Sequence, residues 1–161
     1  DRLLFVPAAI PPHKQHLSVS PASVRLEMLR AAVVGNDSFE VSTTELERAG
    51  PSYTVDTLRE LSAETPQRRF FLLLGHDQVR DLPTWREPEE VAQLATVCML
   101  TRAEMPENFE NSLVRQVVPV TRVDVSSTLI RHRVAEGQAI HYLVPAGVEE
   151  IIRRERLYLA V

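Results

Sequence analysis

The feature that most constrains this chain is the alternation of short, wholly apolar segments with amphipathic segments of helical period. Residues 70–74 read Phe-Phe-Leu-Leu-Leu and end at Gly75, and residues 96–100 read Thr-Val-Cys-Met-Leu. Uninterrupted apolar runs are typical of strands that are covered on both faces, as in a parallel sheet. The amphipathic segments between such runs supply crossover helices. The pattern therefore predicts an α/β fold with a mainly parallel sheet.

The other elements follow from the same periodicities and from helix start and stop signals. No internal repeat, low-complexity tract or linker interrupts them, so residues 1–161 are predicted to form one domain. Ser20 and Ser52 are the predicted N-caps of the first two helices. Strands are predicted at 2–7, 39–42, 70–74, 96–100 and 116–121, and helices at 20–35, 52–64, 87–95, 126–136 and 147–158.

Composition excludes several classes of function. The formal net charge is −4, which argues against sequence-independent binding to nucleic acid. The single cysteine, Cys98, excludes an internal disulfide framework and any multi-cysteine metal site, and it fits a reducing compartment such as the cytoplasm. No apolar run approaches the length of a membrane span, and no secretory signal is present. We therefore expect a cytoplasmic protein whose partners are neither nucleic acids nor membranes.

Parallel sheets bind ligands beyond the carboxyl ends of their strands, which directs attention to the loops there. The first such loop contains Pro11, Pro12, His13 and Lys14. The prolines stiffen the loop, and a lysine is a point charge suited to phosphate. On residue chemistry alone, a solvated basic loop is the favoured reading. His13 and His16 resemble a metal pair, but no third ligand is apparent.

Two further segments carry binding chemistry beside alternative structural readings. Tyr53 and Thr54 open a helix, where free backbone N–H groups favour a carboxylate or phosphate, although capping by Ser52 alone also explains the sequence. Gly75 permits close approach of a ligand to the backbone, and Asp77 can accept hydrogen bonds from ribose hydroxyls. A turn capped by Asp77 is the alternative there.

The only tryptophan of the chain is Trp85, which follows Pro83 and Thr84 and lies among polar residues. A lone tryptophan is more often part of a core. In this polar setting its flat ring can stack on a planar heterocycle.

The last segment combines three hydroxyl residues, Ser126, Ser127 and Thr128, with Arg131 about one helical turn later. A helix N-terminus, hydroxyl groups and a guanidinium together make a strong phosphate site. An N-cap run beside a solvated arginine is the alternative. Three consecutive hydroxyls exceed what capping needs, which favours the phosphate site.

Five motifs in this order resemble the bacterial nicotinate-nucleotide adenylyltransferases of the nucleotidyltransferase superfamily. They are Pro11-Pro12-His13-Lys14, Pro51-Ser52-Tyr53-Thr54, Gly75-His76-Asp77, Pro83-Thr84-Trp85 and Ser126-Ser127-Thr128-Leu129-Ile130-Arg131. The resemblance implies a Rossmann-like parallel sheet with helices on both faces. It also implies transfer of AMP from ATP to nicotinate mononucleotide, with Mg²⁺, giving deamido-NAD and pyrophosphate in NAD biosynthesis. The attack is expected to be in line, without a covalent enzyme intermediate.

The resemblance assigns roles residue by residue and assigns no metal ligand. Lys14, with help from the substrate-binding His13, holds phosphates. For the mononucleotide, the backbone at Tyr53 and Thr54 meets the carboxylate, Trp85 stacks on the pyridine ring, and Gly75 and Asp77 hold ribose. For ATP, the phosphates are held by Ser126, Ser127, Thr128 and Arg131. Arg102 lies near adenine. The catalytic residues are Lys14 and Arg131.

The sequence also departs from the family pattern. The family's His-x-Gly-His motif is absent, and Arg86 stands where the family often has an aromatic residue. We therefore expect the natural protein to be longer, with the family's first strand and helix missing from this chain. Two alternatives stay open: a non-catalytic nucleotide-binding module, and a sister adenylyltransferase for nicotinamide mononucleotide or phosphopantetheine. A homo-oligomer is also possible.

Overall fold

The computed structural model describes residues 1–10, 20–101 and 111–159. Each predicted strand and helix has a counterpart among them, and two short helices are added. The strands are β1 (Leu3–Phe5), β2 (Phe39–Val41), β3 (Phe70–Gly75), β4 (Ala95–Thr101) and β5 (Gln116–Pro119). The helices are α1 (Ala22–Val33), α2 (Thr44–Glu47), α3 (Thr54–Glu64), α4 (His76–Asp81), α5 (Pro88–Leu94), α6 (Ser127–Ala135) and α7 (Ala146–Arg154), with a 3₁₀ turn at Leu82–Thr84.

All strand pairs of the described residues are parallel, which confirms the predicted α/β class. β1 pairs with β2, and β3, β4 and β5 form a second sheet in that order. Gly75 at the end of β3 lies opposite Leu100 near the end of β4. The carboxyl ends of β3 and β4 therefore share one edge, where ligands of parallel sheets bind.

The chain forms two compact units, Asp1–Pro51 with Asp124–Val161, and Ser52–Val123. We call them the terminal unit and the central unit. The terminal unit contains β1 and β2 with α1, α2, α6 and α7, and the central unit contains the three-stranded sheet with α3, α4 and α5. That residues 1–161 make one domain stays a prediction.

The core of the central unit lies on one face of its sheet. Val55 of α3, Val91 of α5 and Val97 of β4 are fully buried in it. Along β3 only alternate residues face this core, and Phe71 and Leu73 are exposed. The expectation that β3 is covered on both faces is therefore wrong within the described residues, because the burial follows the two-residue period of a strand.

The terminal unit has a smaller core, built on Ile130 of α6, Ile152 of α7 and Ile140, which lies between the two helices in the sequence. α1 packs along α7, and Gly147 permits the approach, because a Cβ there would stand 3.2 Å from the Cβ of Ala31. Phe5 and Phe39 stack edge to face across β1 and β2 with ring centroids 5.4 Å apart.

Both predicted serine caps are displaced by one residue. Pro21 rather than Ser20 holds the N-cap position of α1, and the Ser20 hydroxyl donates instead to the hydroxyl of Tyr158 at 3.4 Å. Tyr53 rather than Ser52 holds the N-cap position of α3. The short helices α2 and α4 were not predicted, because one helical turn carries too little periodicity to register. In the described ranges no helix is long and apolar enough to cross a membrane.

Candidate functional site

The end of β3 places Gly75, His76 and Asp77 at the carboxyl edge of the central sheet. Gly75 has extended backbone angles, and a Cβ built on it would meet nothing within 4 Å. Asp77 lies in the first turn of α4 with its side chain 80% exposed, and Arg80 Nη1 is 3.6 Å from Asp77 Oδ1. The predicted turn is thus the start of a helix. The space at Gly75 and the exposed carboxylate both suit a ligand with hydroxyl groups.

The start of α3 places Tyr53 and Thr54 half-buried in the central unit. The backbone carbonyl of Tyr53 accepts hydrogen bonds from the N–H groups of Asp56 and Thr57 at 3.1 and 3.3 Å. The Tyr53 side chain makes no capping hydrogen bond. A helix start without a capping side chain at its N-cap position can present its amide groups to an anion.

Trp85 follows the 3₁₀ turn, and its backbone N–H donates to the carbonyl of Leu82 at 3.0 Å. Leu82 is fully buried, whereas Trp85 is half-buried and packs against the same core cluster as Tyr53. The tryptophan therefore serves the core with one part of its ring and leaves another part accessible. The two readings of the sequence, core residue and ligand platform, are compatible.

Arg86 is the residue that the sequence reasoning did not place in the site. Its guanidinium carbon lies 4.9 Å from the centroid of the Tyr53 ring, which is cation–π geometry. Its Nη1 also lies 3.3 Å from Asp56 Oδ2, and its Nε lies 3.3 Å from Glu87 Oε1. The residue after the tryptophan is thereby joined to the first turn of α3. Only its departure from the family pattern marked it in the sequence.

A second arginine, Arg59 of α3, pairs with the same two carboxylates and also with Glu90. Its Nη2 lies 2.6 Å from Glu87 Oε2 and 2.5 Å from Glu90 Oε2, and its Nη1 lies 3.1 Å from Asp56 Oδ1. Hydrogen bonding to Glu90, and then to Glu87, raises the pKa of Arg59, and the hydrogen bond from Arg59 lowers the pKa of Glu90. These groups are partly accessible to solvent, so each pair contributes little stability. Together they fix the turn before α5.

In the terminal unit, the start of α6 gathers the predicted hydroxyl residues. Ser126 holds the N-cap position, and its Oγ accepts a hydrogen bond from the N–H of Leu129 at 3.1 Å. Ser127 and Thr128 follow in the first turn, and both are exposed. Arg131 Nη2 donates to Thr128 Oγ1 at 3.3 Å. Ser126 is thus the cap, as the alternative reading of this segment had it, and the other two hydroxyls take no part in capping.

A cleft of about 360 Å³ opens beside this helix start within the terminal unit. Its polar lining includes Ser126, Ser127 and Arg131, and its apolar lining includes Met28 and Val148. Such a mixture accepts a ligand with a charged end and an apolar body. The helix dipole and the Arg131 charge both favour an anion at the polar end.

Three of the predicted residues, His13, Lys14 and Arg102, lie outside the described residues. Their assigned roles stay predictions. Across residues 1–10, 20–101 and 111–159, His, Cys, Asp and Glu side chains form no group of three that could hold a metal ion.

The chain is similar in sequence and in fold to several known proteins. A model of the cytidylyltransferase-like family matches residues 1–133. A probable nicotinate-nucleotide adenylyltransferase of Thermus thermophilus is 45% identical over 98% of this chain and 83% of its own length. One from Geobacillus thermodenitrificans is 41% identical over 98% and 72%. The fold also matches nicotinic acid mononucleotide adenylyltransferase of Plasmodium falciparum complexed with NaAD, with a TM-score of 0.73 at 16% identity over 98% and 82% of the two chains.

Proposed function

The chain belongs to the cytidylyltransferase-like family and, within it, to the nicotinate-nucleotide adenylyltransferases of NAD biosynthesis, and from that premise we propose how its residues share the two substrates. The central unit binds nicotinate mononucleotide through Trp85, the start of α3 and the end of β3. The terminal unit binds the phosphates of ATP through the start of α6. Each assignment rests on the chemistry of the residues that each unit brings together.

For the mononucleotide, the pyridine ring stacks on the accessible part of Trp85. Base–aromatic stacking contributes about 1–3 kcal/mol, enough to dominate the binding of a small planar ring. The carboxylate meets the amide groups at Tyr53 and Thr54, where the N-cap side chain makes no capping hydrogen bond. Gly75 gives the ribose room, and Asp77 accepts from its hydroxyls.

For ATP, the phosphates bind where the α6 dipole, two exposed hydroxyls and Arg131 coincide. Ser127 and Thr128 donate to phosphate oxygens, and Arg131 exchanges its contact with Thr128 for the stronger one with a phosphate. Arg131 then balances the charge that grows on pyrophosphate as it leaves. Lys14 adds a second cation and His13 and Arg102 contact substrate, as the family resemblance implies.

Mg²⁺ is part of the proposal as the partner of ATP. It prefers phosphate oxygens and water to all-protein cages, which fits the hydroxyl and guanidinium groups at the start of α6. When bound, it would neutralise phosphate charge. The residues Ser127, Thr128 and Arg131 would hold the same phosphates and keep them oriented.

The reaction forms one bond and breaks one. An oxygen of the mononucleotide phosphate attacks the α-phosphorus of ATP, and the bond from that phosphorus to the bridging oxygen breaks. Pyrophosphate leaves with the electron pair. The protein acts by holding the two substrates in line and by stabilising the departing charge. We further propose a cytoplasmic location, which the single cysteine fits.

The half-buried Trp85 beside the start of α3 is the observation that carries this assignment. The test measures pyrophosphate release from Mg-ATP by the natural full-length protein with nicotinate mononucleotide, nicotinamide mononucleotide or phosphopantetheine. We expect the highest kcat/KM with nicotinate mononucleotide. No release with any of them would favour a non-catalytic nucleotide-binding module, and preference for another substrate would favour a sister enzyme.

Trp85→Ala should raise the KM for nicotinate mononucleotide by roughly 5- to 100-fold and leave the KM for ATP near its wild-type value, since only the ring loses its stacking partner. Trp85→Leu keeps apolar packing against the core and should show the same pattern. Equal effects on both KM values would contradict the stacking role.

A further inference from the structure

We infer that Arg86 is a positioning residue for the pyridine ring of the mononucleotide, a role that rests on the proposed function. Its guanidinium lies over Tyr53, and Trp85 is its immediate neighbour along the chain. One side chain therefore connects the residue that stacks on the substrate to the helix start that meets the substrate carboxylate. Arg86 itself touches no reacting atom in this account.

The turn that carries Trp85 needs such a connection because its backbone is strained. Glu87 adopts left-handed angles, φ 51° and ψ 56°, which few residues other than glycine adopt. Pro88 follows it, and a residue before proline favours extended angles. Strain of this kind persists only where the surroundings impose it, and it concentrates at binding sites.

Arg86 and Arg59 supply that restraint through shared carboxylates. Both pair with Glu87 at the strained position and with Asp56 in the first turn of α3. Their contributions differ in one respect. Arg86 alone also covers the Tyr53 ring, so it fixes the aromatic side chain together with the turn.

This arrangement also accounts for the departure from the family pattern. Where the family often has an aromatic residue, this chain has a planar guanidinium. A guanidinium stacks on an aromatic face much as a second ring does, and lysine cannot replace it in a planar stack. Arg86 therefore covers the Tyr53 ring and acts on the substrate through Tyr53 and the turn, without touching the substrate itself.

Charge gives a second consequence. The carboxylates of Asp56, Glu87 and Glu90 outnumber the guanidiniums of Arg59 and Arg86 by one. Loss of Arg86 makes this cluster more negative beside a site that receives a carboxylate. The substrate with the carboxylate should therefore suffer more than ATP.

The experiment compares wild-type protein with Arg86→Gln, Arg86→Lys and a matched control, Arg154→Gln. Arg154 also pairs with two carboxylates, and its side chain is 50% exposed against 49% for Arg86, but it lies on α7 and its partners are Glu27 and Glu155. Arg86→Gln should raise the KM for nicotinate mononucleotide about two- to fivefold, the size of an exposed cation–π contact. The KM for ATP and kcat should stay near wild type. The KM of Arg86→Lys for nicotinate mononucleotide should lie between the values of wild type and Arg86→Gln.

A second readout needs no activity. Trp85 is the only tryptophan among residues 1–161, so the tryptophan emission that a Trp85→Phe variant loses reports on this turn. Acrylamide should quench Trp85 more strongly in Arg86→Gln than in wild type or Arg154→Gln, because the turn loses its tie to α3.

The outcomes separate the inference from the function on which it rests. Unchanged quenching in Arg86→Gln, an unchanged KM for nicotinate mononucleotide, or an equal rise in the KM for ATP would each overturn the role of Arg86. A wild-type protein that makes no deamido-NAD would overturn the proposed function instead, while the quenching result would still report whether Arg86 holds the turn.

Discussion

The candidate pyridine site and the candidate phosphate site are built in opposite ways. In the central unit, Trp85 and Tyr53 pack against a core, and Arg86 ties them together. At the start of α6, Ser127 and Thr128 stand exposed, and the helix itself supplies the amides and the dipole. A flat ring is bound by surfaces that must be held in place. A phosphate is bound by backbone groups that any helix start already orients.

The difference predicts how each site fails. Substitutions around Trp85 should shift the position of its side chain and so weaken binding of the mononucleotide by small factors. Changes at the start of α6 should remove a charge or a donor directly. The following predictions test that contrast from the largest expected effect to the smallest.

Arg131→Ala should raise the KM for ATP by roughly 10- to 100-fold, because a charge-assisted hydrogen bond to phosphate contributes about 1.5–3 kcal/mol. The KM for nicotinate mononucleotide should change much less. Steady-state kinetics with each substrate varied in turn measures both. Arg133→Ala is the control, since Arg133 lies on the same helix and donates to the carbonyl of Ala139. Unchanged ATP kinetics in Arg131→Ala would remove it from the phosphate site.

Ser126→Ala and Ser127→Ala should separate capping from binding. Ser126 caps α6, so its loss should cost about 0.5–2 kcal/mol and lower the Tm. Ser127 makes no capping hydrogen bond in the described structure, so its loss should raise the KM for ATP several-fold with little change in Tm. Thermal unfolding and kinetics of the two variants give the comparison. The same Tm loss in both would assign Ser127 a structural role.

The smallest effect concerns pH. The hydrogen bond from Arg59 lowers the pKa of Glu90 below its ordinary value of 4.5. The pair therefore stabilises the fold above the pKa that Glu90 has in the unfolded chain, and that contribution is lost as the pH falls through its lower pKa in the folded protein. Glu90→Gln should lower the Tm slightly at pH 6 and have progressively less effect towards pH 3. A Tm difference that grows at low pH would reverse the sign.

The sequence predicts local features of this molecule better than distant ones. The apolar runs at 70–74 and 96–100 correctly indicate parallel strands, although burial along β3 follows one face only. The helix start at Ser126 is predicted correctly, and the capping hydrogen bond there reaches only to Leu129. The contact of Arg86 with Tyr53 joins segments far apart in the sequence, and no local periodicity encodes it.

Two differences between the sequence reasoning and the structure, at the start of α3 and after β3, have local causes. At the start of α3 several adjacent residues can serve as the N-cap, and the helix takes Tyr53 instead of Ser52. After β3, Gly75 indicates a turn, yet the chain enters α4 at once. In both cases the residue types indicate that a new element begins nearby, and packing determines the residue at which it begins.

The central claim, that the pyridine ring binds at Trp85 in the central unit and the phosphates of ATP bind at the start of α6 in the terminal unit, is tested most directly by titrating the wild-type protein while recording the emission of Trp85. Nicotinate mononucleotide should change the emission in a saturable way, at concentrations near its KM. Mg-ATP alone should change the emission much less, because only the mononucleotide places a pyridine ring on Trp85. A saturable change with Mg-ATP and none with the mononucleotide would contradict the account.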